Sequence, residues 1–247
     1  MAGATNFLST ADWQTQVSRG LVQGASVVNI YGYQPAVTTN YIPIWENATA
    51  YTYPVSAIPM TLYSSSASDT NVAILISGLD ASFNQQSETL VLTNGTTGVV
   101  TAKNYLRINS ISVARSPNPV GTIFLSDAGK VNTYAQINLV GTTSAGRSQM
   151  NIYTVPNGFT FYLARVNAYV SPNNNANFFA NYRTFQTNNV TGASQFIQQA
   201  PFTTEYQTLR VFPRPYTQKT DIQWQCSMSA GTSIVSIGVE GVLIQGA

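Results

Sequence analysis

The chain has 247 residues, with 11 basic and 9 acidic side chains, one cysteine and no histidine. Lack of histidine excludes Ser-His-Asp triads and histidine-based metal sites, and one cysteine excludes an intrachain disulfide, a zinc ribbon and a CxxC redox pair. Charged residues make up 8% of the chain, against about 25% in an ordinary soluble domain. The net charge of +2 supplies no field for nucleic-acid binding by counterion release. No apolar run reaches the length of a membrane-spanning helix. With 44% hydrophobic and 11% aromatic residues, the chain has enough apolar material for a core and does not read as disordered. What remains is a surface of Asn, Gln, Ser and Thr, neutral and tolerant of permanent neighbours. No cofactor or metal is expected.

In chain order, residues 1–8 lack the basic start and long apolar stretch of a secretory leader. Residues 9–12 offer an N-cap, and Trp13, Val17 and Leu21 form a narrow apolar stripe on a short helix. That helix either packs on its own domain or docks on a partner. Val27 to Tyr33 alternates as a strand. Pro35, Pro43, Pro54 and Pro59 then punctuate a segment rich in Tyr41, Ile42, Ile44, Trp45, Tyr51 and Tyr53. So apolar and irregular a segment must lie against something, its own β-core or a neighbouring chain.

From Met60 onward nearly everything reads as strand. Residues 71–76 precede a turn at 78–80, and residues 88–92 lead to Asn94-Gly95, a two-residue hairpin signal. Residues 99–101, 105–113 and 121–125 complete a sandwich of about six strands. The Gly/Thr-rich residues 141–146 read as a linker or hairpin tip. The second half runs through 150–155, a turn at 156–158, a long strand at 159–170 with two possible bends, and a loop tip at 173–177. Residues 178–183, 206–212, 221–228 and 233–244 supply its remaining strands, and about eight strands with long connections suit a jelly roll. The expected fold is all-β: two antiparallel β-sandwich domains, jelly-roll-like, preceded by an extended N-terminal arm with one short helix. The expected boundaries are 1–58, 59–145 and 146–247.

The segment Gly24-Ala25-Ser26-Val27-Val28-Asn29-Ile30-Tyr31-Gly32 resembles the start shared by a group of tailed-phage, cyanophage-like virion structural proteins. Ile44-Trp45 and Tyr51-Thr52-Tyr53-Pro54 continue the resemblance, as do residues 78–84, 87–89 and 105–109. Residues 152–158 and Lys219-Thr220-Asp221-Ile222 carry it into the second half, so that it covers about 20–244. The matches are short turns and strands without a catalytic signature. Ile30 is a departure, since the family often has a basic residue there. The resemblance implies a non-enzymatic part of a phage particle. The first expectation is a capsid decoration or cement protein; the alternatives are a neck, tail or fibre-associated protein, or a carbohydrate-binding module. Its partners would be the major capsid protein or other virion subunits, with self-association, trimers being common in such families. Its location would be the virion, assembled in the host cytoplasm.

Among the nine acids, Asp80 and Glu88 flank one expected hairpin and are the pair best placed for glycoside hydrolysis; turn-capping and strand-start roles explain them as well. Arg210, Arg214 and Lys219 cluster around Phe212, Pro213, Pro215 and Tyr216, which suits an anionic or sugar-binding patch or a basic loop between strands. The residues expected to anchor a partner are Phe7, Leu8, Trp13 and Tyr31.

Overall fold

The computed structural model describes residues 13–47, 50–115, 117–171 and 178–246. One short helix, α1 (Trp13–Ser18), precedes β1 (Ala25–Val37) and β2 (Ile42–Pro43). Seven strands follow: β3 (Ile58–Ser64), β4 (Val72–Leu79), β5 (Gln85–Leu92), β6 (Val99–Tyr105), β7 (Arg107–Arg115), β8 (Ile123–Ser126) and β9 (Thr133–Ile137). A small hairpin, β10 (Leu139–Val140) and β11 (Thr143–Ser144), leads to β12 (Ile152–Thr154), β13 (Phe159–Val170) and β14 (Ala180–Asn188). The chain ends with β15 (Ser194–Phe202), β16 (Glu205–Tyr216), β17 (Thr220–Met228) and β18 (Ser233–Gln245). The molecule is all-β, built of antiparallel sheets, as the alternating patterns predict.

The strand order gives the plan. Sheet A runs β1-β18-β13-β16 and sheet B runs β12-β17-β14-β15, with β2 also pairing β17. Taken as their own eight strands in chain order, these are sheets 1-8-3-6 and 2-7-4-5, a complete jelly roll with two Greek keys. The expected boundary between an arm and two successive domains is therefore corrected. Residues 25–37 are the first strand of the jelly roll, paired with β18 from Ala25↔Ile244 to Val37↔Ser233. The other sandwich is inserted between the first and second jelly-roll strands. Pro35 is tolerated because it sits where the β1 register slips, between Gln34 and Val37.

The insert stacks sheet β6-β3-β8-β9 on sheet β5-β4-β7. Each unit has its own apolar cluster. Trp224, Phe161, Tyr182 and Leu163 lie in the jelly-roll core, and Met60, Leu62, Ile74 and Tyr105 in the insert core. The irregular segment after β1 divides between them, with Ile44 in the first core and Trp45 and Tyr51 in the second. It wraps its own chain, which settles the choice that the sequence left open. Gln34 Nε2 fixes it by donating to the carbonyls of Trp45 and Asn47.

The two links to the insert run side by side. Asn151 N donates to Ile44 O at 2.8 Å, Trp45 bridges Met150, and Gln149 N donates to the Glu46 carboxylate at 3.2 Å. Glu46 is buried, and desolvation raises its pKa to about 7 against the pull of the Gln149 amide.

Several local expectations are corrected. Asn94-Gly95 does not make a two-residue hairpin, because β5 and β6 belong to different sheets. The turn is longer, and Gly98 takes the left-handed conformation at φ 81°. Gly95 is needed for close approach, since a Cβ there would lie 2.0 Å from Ser66 O. Gly78 and Leu79 belong to β4 rather than to a turn. Gly78 lets the Arg107 carbonyl and Tyr105 ring approach the strand. The stretch 105–113 is not one strand: Tyr105 ends β6 opposite Ile58, and Arg107 begins β7 in the facing sheet. β15 carries no clear apolar alternation, and its burial is correspondingly irregular. The expected loop tip at 173–177 lies outside the described residues.

Candidate interaction surface

The expected anchors separate. Phe7 and Leu8 lie outside the described residues, as does the expected cap at 9–12. Trp13 opens α1 and is 47% exposed, while Val17 is buried. The helix ends before Leu21, so the three-residue stripe does not bury as a unit. Tyr31 lies on β1 and is 43% exposed.

Register places Tyr31 on a larger surface. Partners in an antiparallel pair share a face, and successive residues alternate. Val28 and Ile30 pack on the jelly-roll core, so Val27, Asn29 and Tyr31 point to the opposite, outer face of sheet A. One row across that face reads Asn29, Glu240, Arg165, Leu209. The row on one side is Tyr31, Gly238, Asn167, Gln207; the row on the other is Val27, Val242, Tyr162, Pro215. These side chains are exposed or half-buried. The face is mostly neutral, with one ion pair near its middle: Arg165 to Glu240 at 3.8 Å, with Arg165 Nε also donating to Asn167 Oδ1.

A bulge aligns this pair. Ala164 is an extra residue on β13 between Leu163↔Gly241 and Arg165↔Glu240. It brings Tyr162 and Arg165, three apart, onto the same face. Opposite Ala164, β16 loops out residues 210–213. Leu209 beside the loop and Val211 and Phe212 within it are 78%, 86% and 88% exposed. The expected basic cluster is divided by the same geometry. Arg210 donates to Gln198 Oε1 on β15, Tyr216 is buried, and Lys219 turns away at φ 60° with Nζ 5.9 Å from the Phe83 ring centroid. Arg210 and Arg214 both lie near the buried Tyr216 hydroxyl, whereas Lys219 faces Phe83.

The carboxylates serve the architecture. Asp80 accepts from Ser82 N and Asn84 N at 2.8 Å each. Partial burial pushes its pKa up, but the Asn84 and Ser82 hydrogen bonds prevail and hold it below the ordinary value. Glu88 accepts from Ala102 N and Lys103 N, pinning β6. Asp69 accepts from Val120 N and Gly121 N, and Asp127 from Val131 N and Asn132 N. The Asp80 and Glu88 positions therefore each have a full structural explanation.

Asp221 is the acid whose role was hardest to foresee. It forms a buried two-pronged pair with Arg107, at 2.9 Å from Nε and 2.9 Å from NH2. Thr154 Oγ1 and Asn189 Nδ2 also donate to it, while Arg107 NH1 donates to Pro54 O and Leu106 O. The Tyr53 ring lies 4.5 Å below the guanidinium. Arg107 belongs to the insert and Asp221 to the jelly roll, so the pair bolts the two units together.

A cleft of about 690 Å³ lies between the units, lined by Ser26, Val28, Gln86, Lys103, Asn109 and Tyr153 among others. Three of its polar side chains are tied to the frame: Gln86 to Asn104 O, Lys103 to Ser87 O, Asn109 to the Thr154 backbone. Among the described residues no group of three or more His, Cys, Asp or Glu could hold a metal ion, and no helix is long and apolar enough to cross a membrane.

No family model matches the chain, and no curated protein matches it. Among solved structures, the infectious bursal disease virus VP2 subviral particle aligns over 92% of this chain and 78% of that chain, at 9% identity and a TM-score of 0.18. A likeness at that level does not relate the two folds.

Proposed function

We propose that the chain is a non-enzymatic virion structural protein that acts by adhesion, as a decoration or cement subunit on a capsid shell. The observation that supports this best is the open outer face of sheet A, where tyrosines and aliphatic side chains stand in register on a rigid four-stranded platform. Tyrosine supplies large contact area at low entropic cost and is enriched at interfaces. The jelly roll is compatible, being an architecture of viral capsid domains, though lectins and cupins share it and fold alone does not choose. The structural roles of Asp69, Asp80, Glu88, Asp127 and Asp221 also favour architecture over acid–base chemistry. Cys226 is buried and burial pushes its thiol pKa up, so assembly in a reducing host cytoplasm fits.

In this reading the partners are the major capsid protein or other virion subunits. The N-terminal contact set of Phe7, Leu8, Trp13 and Tyr31 remains part of the proposal. Deleting residues 1–21 is expected to weaken particle binding while leaving both β-units folded by circular dichroism. The decisive experiment is copy number per purified particle, by quantitative mass spectrometry against the major shell protein. Comparable copies support the decoration role. A handful would move the protein to the neck or tail, and complete absence would overturn the virion reading.

A further inference from the structure

We propose that the outer face of sheet A binds a second copy of this chain, face to face, about a two-fold axis parallel to the strands and midway between β13 and β18. The inference rests on the adhesive reading of that face and names its partner.

Charge is the first argument. On the two inner strands one cation and one anion, Arg165 and Glu240, stand opposite each other, with Arg147 at the β1 edge and Glu205 beside Tyr169 at one end of the face. A two-fold axis between those strands exchanges their positions in the facing copy. Arg165 of one copy then lies over Glu240 of the other, twice by symmetry. The same operation places Tyr162 over Val242 of the second copy, an aromatic ring against a branched aliphatic side chain. A face carrying only cations would repel its own copy; this one is its own complement.

Area is the second argument. Four strands at about 4.8 Å spacing and nine residues at about 3.3 Å rise make a platform of about 19 Å by 30 Å. Two such platforms bury about 1,100 Å² between them, above the ~1,000 Å² that a specific pair needs. Sheets packed this way cross at about 30°, which side chains of Tyr and Val size fill. The two-fold makes a closed pair, so the contact does not propagate into a fibre.

The test uses the purified full-length chain in sedimentation equilibrium across a concentration series. A concentration-dependent dimer is expected. Arg165→Glu and Glu240→Arg each place like charges in apposition and are expected to raise the dimer dissociation constant by at least about tenfold. An equimolar mixture of the two variants restores dimerisation, because each heterodimer regains both opposite-charge contacts. Circular dichroism checks folding. If either variant fails to fold, Leu209→Asp, at a position already largely in water, is read in its place and is expected to dissociate the pair. A chain that stays monomeric overturns the proposal. So does a dimer indifferent to these changes, or a folded variant mixture that does not recover. A monomer that still copurifies with particles sinks the pair but leaves the adhesive role; a dimer absent from particles does the reverse.

Discussion

The two outer faces of the jelly roll come from similar alternating sequences and meet opposite fates. On sheet B, every residue of β17 is buried, including the polar Asp221, Gln223, Gln225 and Ser227 that point away from the core. The segment after β1 and the insert cover them, with the Tyr41 ring 3.7 Å from the Arg183 guanidinium on that face and Arg107 gripping Asp221. On sheet A the arrangement is reversed: Val27, Tyr31, Tyr169 and Leu209 face water. A jelly roll that buries polar groups on one side and exposes apolar ones on the other has placed its intramolecular partner on the first face. The second face is left open to water, and it is the face to which the proposed second copy is assigned.

The comparison is broken most severely at the bolt. Asp221→Asn leaves the Arg107 guanidinium buried without its charge partner, and the expected loss is about 3–5 kcal/mol in denaturant unfolding. Replacing both residues with apolar side chains of similar volume is expected to recover part of that loss. Next in size is the pH response of Glu46. Its carboxyl ordinarily titrates near 4.5 but near 7 when folded, so between those values the folded protein holds a proton that the unfolded chain releases. The stability from this group is full below about 4.5 and is lost as pH rises through about 7, by roughly 3 kcal/mol. Glu46→Gln, which stays neutral, is expected to flatten that slope in unfolding curves taken at pH 5 and pH 8.

A matched pair of glutamines sharpens the contrast between faces. Gln225 is buried, accepts from Arg183 Nε at 2.7 Å and donates to Gln223 Oε1 at 2.6 Å. Gln225→Ala is expected to cost about 1–3 kcal/mol, whereas Gln207→Ala on the open face stays within about 0.5 kcal/mol. Equal losses in thermal melts would mean that the open face is not free. The smallest effect belongs to Phe212→Ser. It is expected to leave the melting temperature of the monomeric, dilute protein nearly unchanged, because the ring makes few contacts within the chain.

Much of the all-β fold was legible in residue patterning. The β18 stretch alternates inward Val235, Ile237 and Val239 with outward Ser236, Gly238 and Glu240, and that alternation is a strand's signature. The nested order of the units was not legible. Nothing in Val27 to Tyr33 announces that the strand's partner is at the other end of the chain, because pairing partners are chosen by global packing. The Arg107–Asp221 bolt was invisible for the same reason, although its two halves fall in stretches that the sequence already singles out. Of the candidate surface, the sequence reading names Tyr31, which lies exposed on β1. Arg165 and Glu240 were missed, since their alignment depends on the bulge at Ala164, and a one-residue bulge leaves little trace in hydropathy.

The nested order has a consequence in time. β1 leaves the ribosome about 210 residues before β18, the strand that closes its ladder. At synthesis rates of about 5–20 residues per second, β1 waits roughly 10–40 s without its partner. The insert is complete long before then. Once folded, it draws Glu46 and Gln149 together and replaces a long loop with a short clasp, reducing the closure entropy for the strands on either side. β1 is thus flanked by a folded unit that is not its own until β18 arrives.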